Sequence, residues 1–368
     1  MTSRLILFGA TGYTGRKTAA AMVARGLRPT LAGRDPERLR RLAAELGELP
    51  TAQADVTEPQ SLRALLSQGD VLVSTVGPFL RWGQPALDAA LAAGAHYIDS
   101  TGEPAFVRRV AEQCHGPAQR AHICMLSAFG YDYVPGHTVG SAVLRHAGAA
   151  ATQLDIGYYS APGKSFRSSQ GTQASLAGAI FDPGIFWRGG RRVQDFGGTR
   201  MRSFTVDGRS LDALSVPGSE HLWLPELYPQ LQQIGVYLGW FGRRTRTMHT
   251  MSRVSSVLLR LPGAAALAHR LAPQLSSSGE GPSEAELADS GSVIVAEAMD
   301  ADGRVLARAT LRGVDGYTYT ARMLAWGAQA LLAGRHQSTG ATGPINAFGL
   351  DAVIEANREA GLELEIER

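Results

Sequence analysis

Residues 8–16 read FGATGYTGR, with glycines at 9, 12 and 15 directly after the short apolar run Arg4-Leu5-Ile6-Leu7-Phe8. That run is β-prone, and the alanine-rich stretch from Lys17 to Arg25 has helical spacing. The glycines therefore stand on a strand-to-helix turn. Missing side chains there let main-chain N–H groups approach a ligand, while the helix N-terminus faces negative charge. The combination predicts a pyrophosphate site. Its spacing is G-x-x-G-x-x-G, whereas the common dinucleotide pattern is G-x-G-x-x-G. A sharp turn without a ligand is the alternative for this stretch taken alone.

The next strand weighs against that alternative. Pro29-Thr30-Leu31-Ala32 runs into Gly33-Arg34-Asp35-Pro36, so Arg34 falls about twenty residues beyond the turn, where the ribose of the adenosine half should lie. An acidic side chain ending this strand bonds a ribose 2′-hydroxyl and selects NAD, whereas an arginine pairs with a 2′-phosphate. Arg34 at the strand end favours NADP. Asp35 would take the NAD role if the strand ended one residue later.

Working outward, strand and helix signals alternate. Helices are predicted over 36–46, 58–67, 85–93 and 105–118, and strands over 52–55, 70–75, 96–99 and 123–127. Units of this length imply a Rossmann-type, doubly wound parallel sheet with right-handed crossovers, an α/β fold that collects ligands at the carboxyl ends of its strands. Past residue 150 the texture changes. Strands are expected over 152–160, 202–206, 211–216 and 232–238, with a helix opening at 168–181. Two β segments over 292–313 meet at Asp300-Ala301-Asp302-Gly303, a hairpin signal. The polar stretch 276–291 reads as a mobile loop, and 319–332 and 350–360 as helices. The expected organisation is an NADP-binding domain over 1–135 and an α+β substrate and dimerisation domain over 136–318, built on a mostly antiparallel sheet. Residues 319–368 then supply helices that return to the first domain.

Composition excludes several classes. The chain has 368 residues, 44% apolar and 19% charged, with a net charge of +3. That is ordinary for a globular protein with a sizeable core. Its basic residues are nearly all arginine, scattered among acids apart from GRRTR at 242–246, so nucleic-acid binding is not expected. Cys114 and Cys124 form no CxxC, and no histidine pair has metal spacing, so neither a metal site nor a disulfide framework follows. The apolar segment 254–275 is interrupted by Arg260, Pro262, His269 and Arg270, which reads as a broken amphipathic helix and not as an integral membrane span. The chain enters its first strand without a signal-peptide pattern, so the expected location is cytoplasmic.

Several stretches together resemble the saccharopine dehydrogenase-like NADP-binding oxidoreductases, including trans-acting enoyl reductases. They are GATGYTGR, LAGRD, VGPF, AGAHYIDSTGE (93–103), FGYDYVPG (129–136), SQGTQAS (169–175), GYTYTARM (316–323) and GPINAFGLDAVIEANREAG (343–361). The resemblance spans nearly the whole chain in order. It implies NADPH-dependent reduction of a polarised C=C or C=N bond. The sequence departs from the pattern at Tyr133 and at Gly136-His137, where small and acidic residues are commoner, and it has no clear match to the groups that bind an amino acid in saccharopine reductases.

By this reading Gly9, Thr11, Gly12, Tyr13, Thr14 and Gly15 wrap the pyrophosphate, and Gly33 sets Arg34 against the 2′-phosphate. Asp55 and Val56 flank adenine. Thr75, Val76, Gly77, Pro78 and Phe79 border the ribose and nicotinamide. The cofactor supplies hydride, and the protein must add a hydrogen bond or proton where charge develops. Glu103, Tyr317 and Tyr319 are candidates. First choice goes to Tyr131-Asp132-Tyr133, where a tyrosine hydroxyl polarises the acceptor and Asp132 orients the loop; a buried turn is the competing account. Ser169, Gly171 and Thr172, ahead of a helix, and His137 are expected to contact substrate. The acceptor is a small molecule, free or tethered to a carrier protein, and the apolar run 222–241 suits a greasy pocket or the face of a homodimer. Two other functions fit the same motifs: an imine reductase or opine- or saccharopine-type dehydrogenase acting on C=N, and an NADPH-bound scaffold or redox sensor without turnover.

Overall fold

The computed structural model describes residues 3–161, 183–258 and 281–367. The chain divides into two compact units, the first made of residues 1–101, 106–134 and 316–361. Strands numbered along the chain are β1 (Leu5–Phe8), β2 (Thr30–Gly33), β3 (Thr51–Gln53), β4 (Val71–Ser74), β5 (His96–Asp99) and β6 (Cys124–Leu126). With the two-residue β15 (Gly340–Ala341) they form a parallel sheet in the order β15-β6-β5-β4-β1-β2-β3. Every residue of β1, β4 and β5 is buried. Strands covered on both faces need continuous apolar runs, and LILF and VLVS provide them.

Helices Tyr13–Ala24, Pro36–Glu45 and Gln84–Ala93 make the crossovers. Because β1 lies between β4 and β2, the strand order reverses there, at the kind of switch point where open α/β sheets bind ligands beyond the carboxyl ends of their strands. The long helix Gly316–Leu332 packs on Tyr13–Ala24 and against β4 and β5. Its Trp326 stacks on Phe129 with centroids 6.4 Å apart. Fully buried side chains such as Leu7, Leu72 and Ile98 each contribute on the order of 1.5–3 kcal/mol by leaving water.

The second unit comprises residues 102–105, 135–315 and 362–368. Its strands are β7 (Gln153–Ser160), β8 (Gly184–Arg188), β9 (Arg191–Asp195), β10 (Met201–Val206), β11 (Arg209–Ser215), β12 (Gln233–Leu238), β13 (Ser292–Met299), β14 (Val305–Gly313) and β16 (Leu362–Glu367). The order is β10-β11-β12-β7-β13-β14-β16, with β8 beside β12 and β9 beside β8. Pairing is antiparallel except between β12 and β7. Tyr159, Phe204, Tyr237, Val293 and Val295 form an apolar core in this unit. Arg202 bridges the buried Asp155 and Glu297 in the same unit.

Three elements differ from the sequence expectation. Hairpin β8–β9 turns at Gly189-Gly190, a two-residue turn signal that stands in the sequence. Within 276–291, expected as a loop, Glu284–Ala288 is a helix closed by a capping box in which Ser283 and Glu286 satisfy each other's main-chain N–H. The last residues, expected to belong with the C-terminal helices, form β16 in the second unit. Its alternation Leu362, Leu364, Ile366 against Glu363, Glu365, Glu367 has the period of a strand. The helix expected at 168–181, most of 254–275, and Ser169, Gly171 and Thr172 lie outside the described residues.

Candidate dinucleotide-binding site

The turn after β1 is built from main chain. Gly9 and Ala10 N–H groups donate to the Ala32 carbonyl at 2.9 and 3.2 Å, and the Gly12 N–H donates to Gly9 O at 3.0 Å. Gly9 has φ +85°, and a Cβ there would lie 2.8 Å from Thr75 Oγ1 and from Val76 Cγ2. A Cβ on Gly15 would stand 2.9 Å from Ala10 Cα and fall onto Gly9 O. The two glycines thus let the loop fold back on the helix start. Gly12 caps the helix Tyr13–Ala24 with no side-chain hydrogen bond, so no side chain competes with an anion for the first-turn N–H groups. Thr11, Tyr13 and Thr14 are partly exposed around this end. Tyr13 stands edge-on to Tyr317, with ring centroids 5.2 Å apart, and Lys17 Nζ lies 5.5 Å from its centroid.

The end of β2 separates its two charged residues by role. Gly33 is the last, buried residue of the strand, and Arg34 beyond it is exposed. Asp35 is the N-cap of helix Pro36–Glu45, accepting from Glu37 N and Arg38 N at 3.0 Å each. Those N–H groups, Arg38 first, hold its carboxyl below the usual range. The Asp35 carboxylate is thus engaged by its own helix. Arg38, which sequence reasoning missed, reaches back to the glycine turn and donates from Nη2 to Thr11 O at 3.2 Å. The signal for it was available: three residues after an N-cap, a side chain lies on the turn that faces the preceding loop.

Asp55 closes a tight turn by accepting from Thr57 N at 2.8 Å and Thr57 Oγ1 at 2.9 Å. Those bonds, with a smaller contribution from Arg34, lower its pKa. Val56 sits partly exposed in the turn. After β4, Thr75 Oγ1 donates toward Phe8 O and Gly9 O at 3.1 and 3.2 Å, so it ties the two loops together. Val76 is partly exposed, and Gly77 and Pro78 are exposed. Phe79, expected beside the cofactor, is instead 6% exposed and packs on Phe106 with centroids 5.6 Å apart. As the first residue of helix Phe79–Trp82 it points into the core, which its proline neighbour does not reveal.

The segment after β6 is held from two sides. Asp99, fully buried, accepts from Thr101 N, Ala128 N and Ser127 Oγ at 2.9, 2.8 and 2.9 Å, and burial raises its pKa to about 6. The aspartate of YIDSTGE thus clamps the β5 and β6 ends. Tyr131 N donates to Thr320 Oγ1 at 3.0 Å, and Tyr131 meets Tyr319 edge-on at 6.2 Å. Tyr131 and Tyr133 are 8% and 7% exposed. Asp132 between them is half-buried, and desolvation raises its pKa to about 6. Tyr319 is committed elsewhere: its hydroxyl donates to Asn357 Oδ1 at 2.8 Å.

In the second unit His137, expected at the substrate, is fully buried with Nε2 2.8 Å from Ser219 Oγ. Burial, and secondarily His221, lower its pKa to about 3. A neutral, enclosed imidazole is a core residue in this arrangement, because the apolar helix Val134–Ala147 that carries it turns it inward. His221, also fully buried, has its pKa lowered to about 3 mainly by burial. Glu103 is partly exposed. Among the described residues, no group of three or more His, Cys, Asp or Glu is arranged to hold a metal ion. The Cys114 and Cys124 thiols are buried and unpaired, pushed up to about 11 and about 12 by burial.

Comparison with known proteins agrees with this geometry. Residues 5–123, from β1 to the threshold of β6, match the family model for the saccharopine dehydrogenase NADP binding domain. The matched stretch falls almost wholly within the first unit. A Mycobacterium tuberculosis protein is 38% identical over 137 residues, which are 36% of this chain and 33% of that protein. Trans-acting enoyl reductases from Mycobacterium leprae and Mycobacterium ulcerans are 37% and 36% identical, each over 137 residues and again 33% of their length. These matches therefore cover a third of each relative. Across the full length, the fold resembles that of apo saccharopine dehydrogenase (L-Glu forming) from Saccharomyces cerevisiae, with a TM-score of 0.61 at 14% identity and 100% of both chains covered. The stretch matched by the family model contains the glycine turn, Arg34 and the loop after β4.

Proposed function

We propose that this chain is an NADPH-dependent oxidoreductase that reduces a polarised C=C bond, of the enoyl type, in an apolar biosynthetic intermediate. The end of β2 is the observation that carries the reading. Asp35 is committed to two main-chain N–H groups, and the exposed Arg34, with Arg38 behind it, offers the cationic edge that a 2′-phosphate requires. When bound, the dinucleotide supplies a hydride. The residues of the chain bind, orient and handle the proton. Gly9, Thr11, Gly12, Tyr13, Thr14 and Gly15 receive the pyrophosphate, Asp55 and Val56 border adenine, and Val76, Gly77 and Pro78 border the nicotinamide half. A tyrosine hydroxyl of Tyr131 or Tyr133 polarises the acceptor, and Asp132 orients that segment. The Asp132 carboxyl, with a pKa near 6, can exchange a proton close to neutral pH. Substrate contacts are assigned to Ser169, Gly171 and Thr172. The enoyl class draws its support from the names of the mycobacterial relatives.

The test is binding of NADPH and NADH by calorimetry, followed by loss of NADPH absorbance with a panel of enoyl thioesters and cyclic imines. Tight NADPH binding with oxidation by an enoyl acceptor is the expected result. Oxidation by imines alone would move the chemistry to C=N. Binding without any oxidation across the panel would favour a scaffold and remove the reductase reading.

A further inference from the structure

We infer that helix Thr245–Leu258 of the second unit is a docking surface for an anionic phospholipid bilayer. The helix is inside out. Thr245, Ser252 and Ser256 are 1%, 5% and 6% exposed, while Met251, Val254, Val257 and Leu258 are 65%, 57%, 63% and 53% exposed. A helix on a globular surface normally turns its apolar stripe to the core. Here Met251, Val254 and Leu258 recur at three- and four-residue intervals, so they make one outward stripe with Val257 beside it.

The buried positions of the helix carry hydroxyl side chains, with Met248 partly buried near them. Thr245 Oγ1 donates to Gly242 O at 2.8 Å, and Ser256 Oγ donates to Arg253 O at 2.8 Å. Ser255 Oγ donates to Ser252 O at 3.1 Å, and His249 Nδ1 lies 2.8 Å from Gly198 O. The hydroxyls are turned onto main-chain carbonyls, which lets a small polar face pack closely beside β11. Nothing in this packing calls for four large apolar side chains on the other side.

Charge identifies what covers them. Arg243 and Arg244 precede the helix, Arg246 and Arg253 lie on it, and all four are exposed. Arg246 pairs with Asp212 at 2.9 Å, and the sequence has no Asp or Glu between Glu226 and Glu280. A second copy on a twofold axis would bring this arginine-rich helix against itself, with Arg243, Arg244 and Arg253 facing their own counterparts. Lipid phosphates meet the same patch without repulsion: the apolar stripe enters the acyl boundary and the arginines extend to the headgroups. Among the described residues no helix is long and apolar enough to cross a membrane, so the contact lies in the interface plane.

The experiment is co-sedimentation of the full chain with phosphatidylcholine vesicles, with and without phosphatidylglycerol. Binding is expected only with phosphatidylglycerol and should weaken as salt rises. Replacing Arg243, Arg244 or Arg253 by Gln should lower partitioning by about fivefold per arginine, and the double change Val254→Asp, Val257→Asp should remove it. These side chains are exposed, so near-ultraviolet circular dichroism and NADPH affinity should stay at the parent values and report that the variants are folded. No binding to anionic vesicles, equal binding to both vesicle types, or full binding by the Asp variant would overturn the proposal. A dimer in light scattering that Val254→Asp dissociates, without vesicle binding, would overturn it in favour of a second copy. Its failure would leave the nucleotide reading untouched.

Discussion

Replacing Arg34 by Ala tests the contact proposed to separate NADPH from NADH. The guanidinium is exposed at the end of β2, so solvent and salt weaken it, and the low end of the range for a charged hydrogen bond applies. About 1.5 kcal/mol corresponds to roughly a tenfold rise in the NADPH dissociation constant. Arg38 limits the loss, because its Nη2 contact to Thr11 O keeps a second cation on the same edge. The double variant Arg34→Ala, Arg38→Ala should therefore lose about a hundredfold, while NADH affinity changes little in either. Asp35→Ala supplies the opposing arm. Since its carboxylate caps Pro36–Glu45, the change should lower the thermal midpoint and leave the ratio of NADPH to NADH affinity unchanged. Calorimetric titration of both nucleotides at one ionic strength reads all three variants. Equal losses for NADPH and NADH in Arg34→Ala, or a selective loss of NADH in Asp35→Ala, would refute the assignment.

Gly15→Ala places a methyl against Ala10 Cα and Gly9 O; it should cost about 1–3 kcal/mol of stability and weaken both nucleotides together, and unchanged melting and titration curves would show that the turn has room to spare. Tyr131→Phe and Tyr133→Phe, made separately, should leave NADPH affinity intact while one of them lowers turnover by about a hundredfold or more; full turnover in both would exclude the segment from proton handling. His137 and His221 are neutral when folded, with pKa values lowered to about 3, and the unfolded chain binds more protons between there and the ordinary value of 6.5. Stability should fall as pH drops through that window, each histidine steepening the slope by up to about 1.4 kcal/mol per pH unit, so His137→Gln should flatten the pH dependence of the urea midpoint, and an unaltered slope would place its pKa elsewhere.

What could be read from the sequence follows from how local the physics is. The parallel sheet was legible because its strands are buried on both faces, so LILF, VLVS and HYID stand out as short apolar or β-prone runs between amphipathic helices. The glycine turn was legible because a close approach of main chain leaves no alternative to glycine at Gly9 and Gly15. The role of Asp35 was not, since an acid at a strand end and an acid at a helix N-cap are the same letter one residue apart. Only the helix start at Pro36 separates them.

The second unit shows where such reading fails. Hairpin β8–β9 and strand β16 carried local signals, a Gly-Gly turn and a Leu/Glu alternation, yet each pairs with a strand distant in sequence, β8 with β12 and β16 with β14. Pairing partners so far apart leave no trace in a local window. His137 shows the same limit for a side chain: the sequence places a polar group just after Tyr131-Asp132-Tyr133, and only packing against Ser219, 82 residues away, reveals it as enclosed. A helix cap such as Asp35 is set by near neighbours and an enclosed side chain such as His137 by a distant one, and only the structure separates either from a ligand contact. For the proposed reductase this matters most at the acceptor, because hydride chemistry resides in the cofactor and selectivity resides in contacts made by remote segments. The proposed cofactor contacts from Gly9 to Arg38 lie between β1 and the helix Pro36–Glu45, close together in sequence, while the acceptor contacts must be found by trapping a substrate.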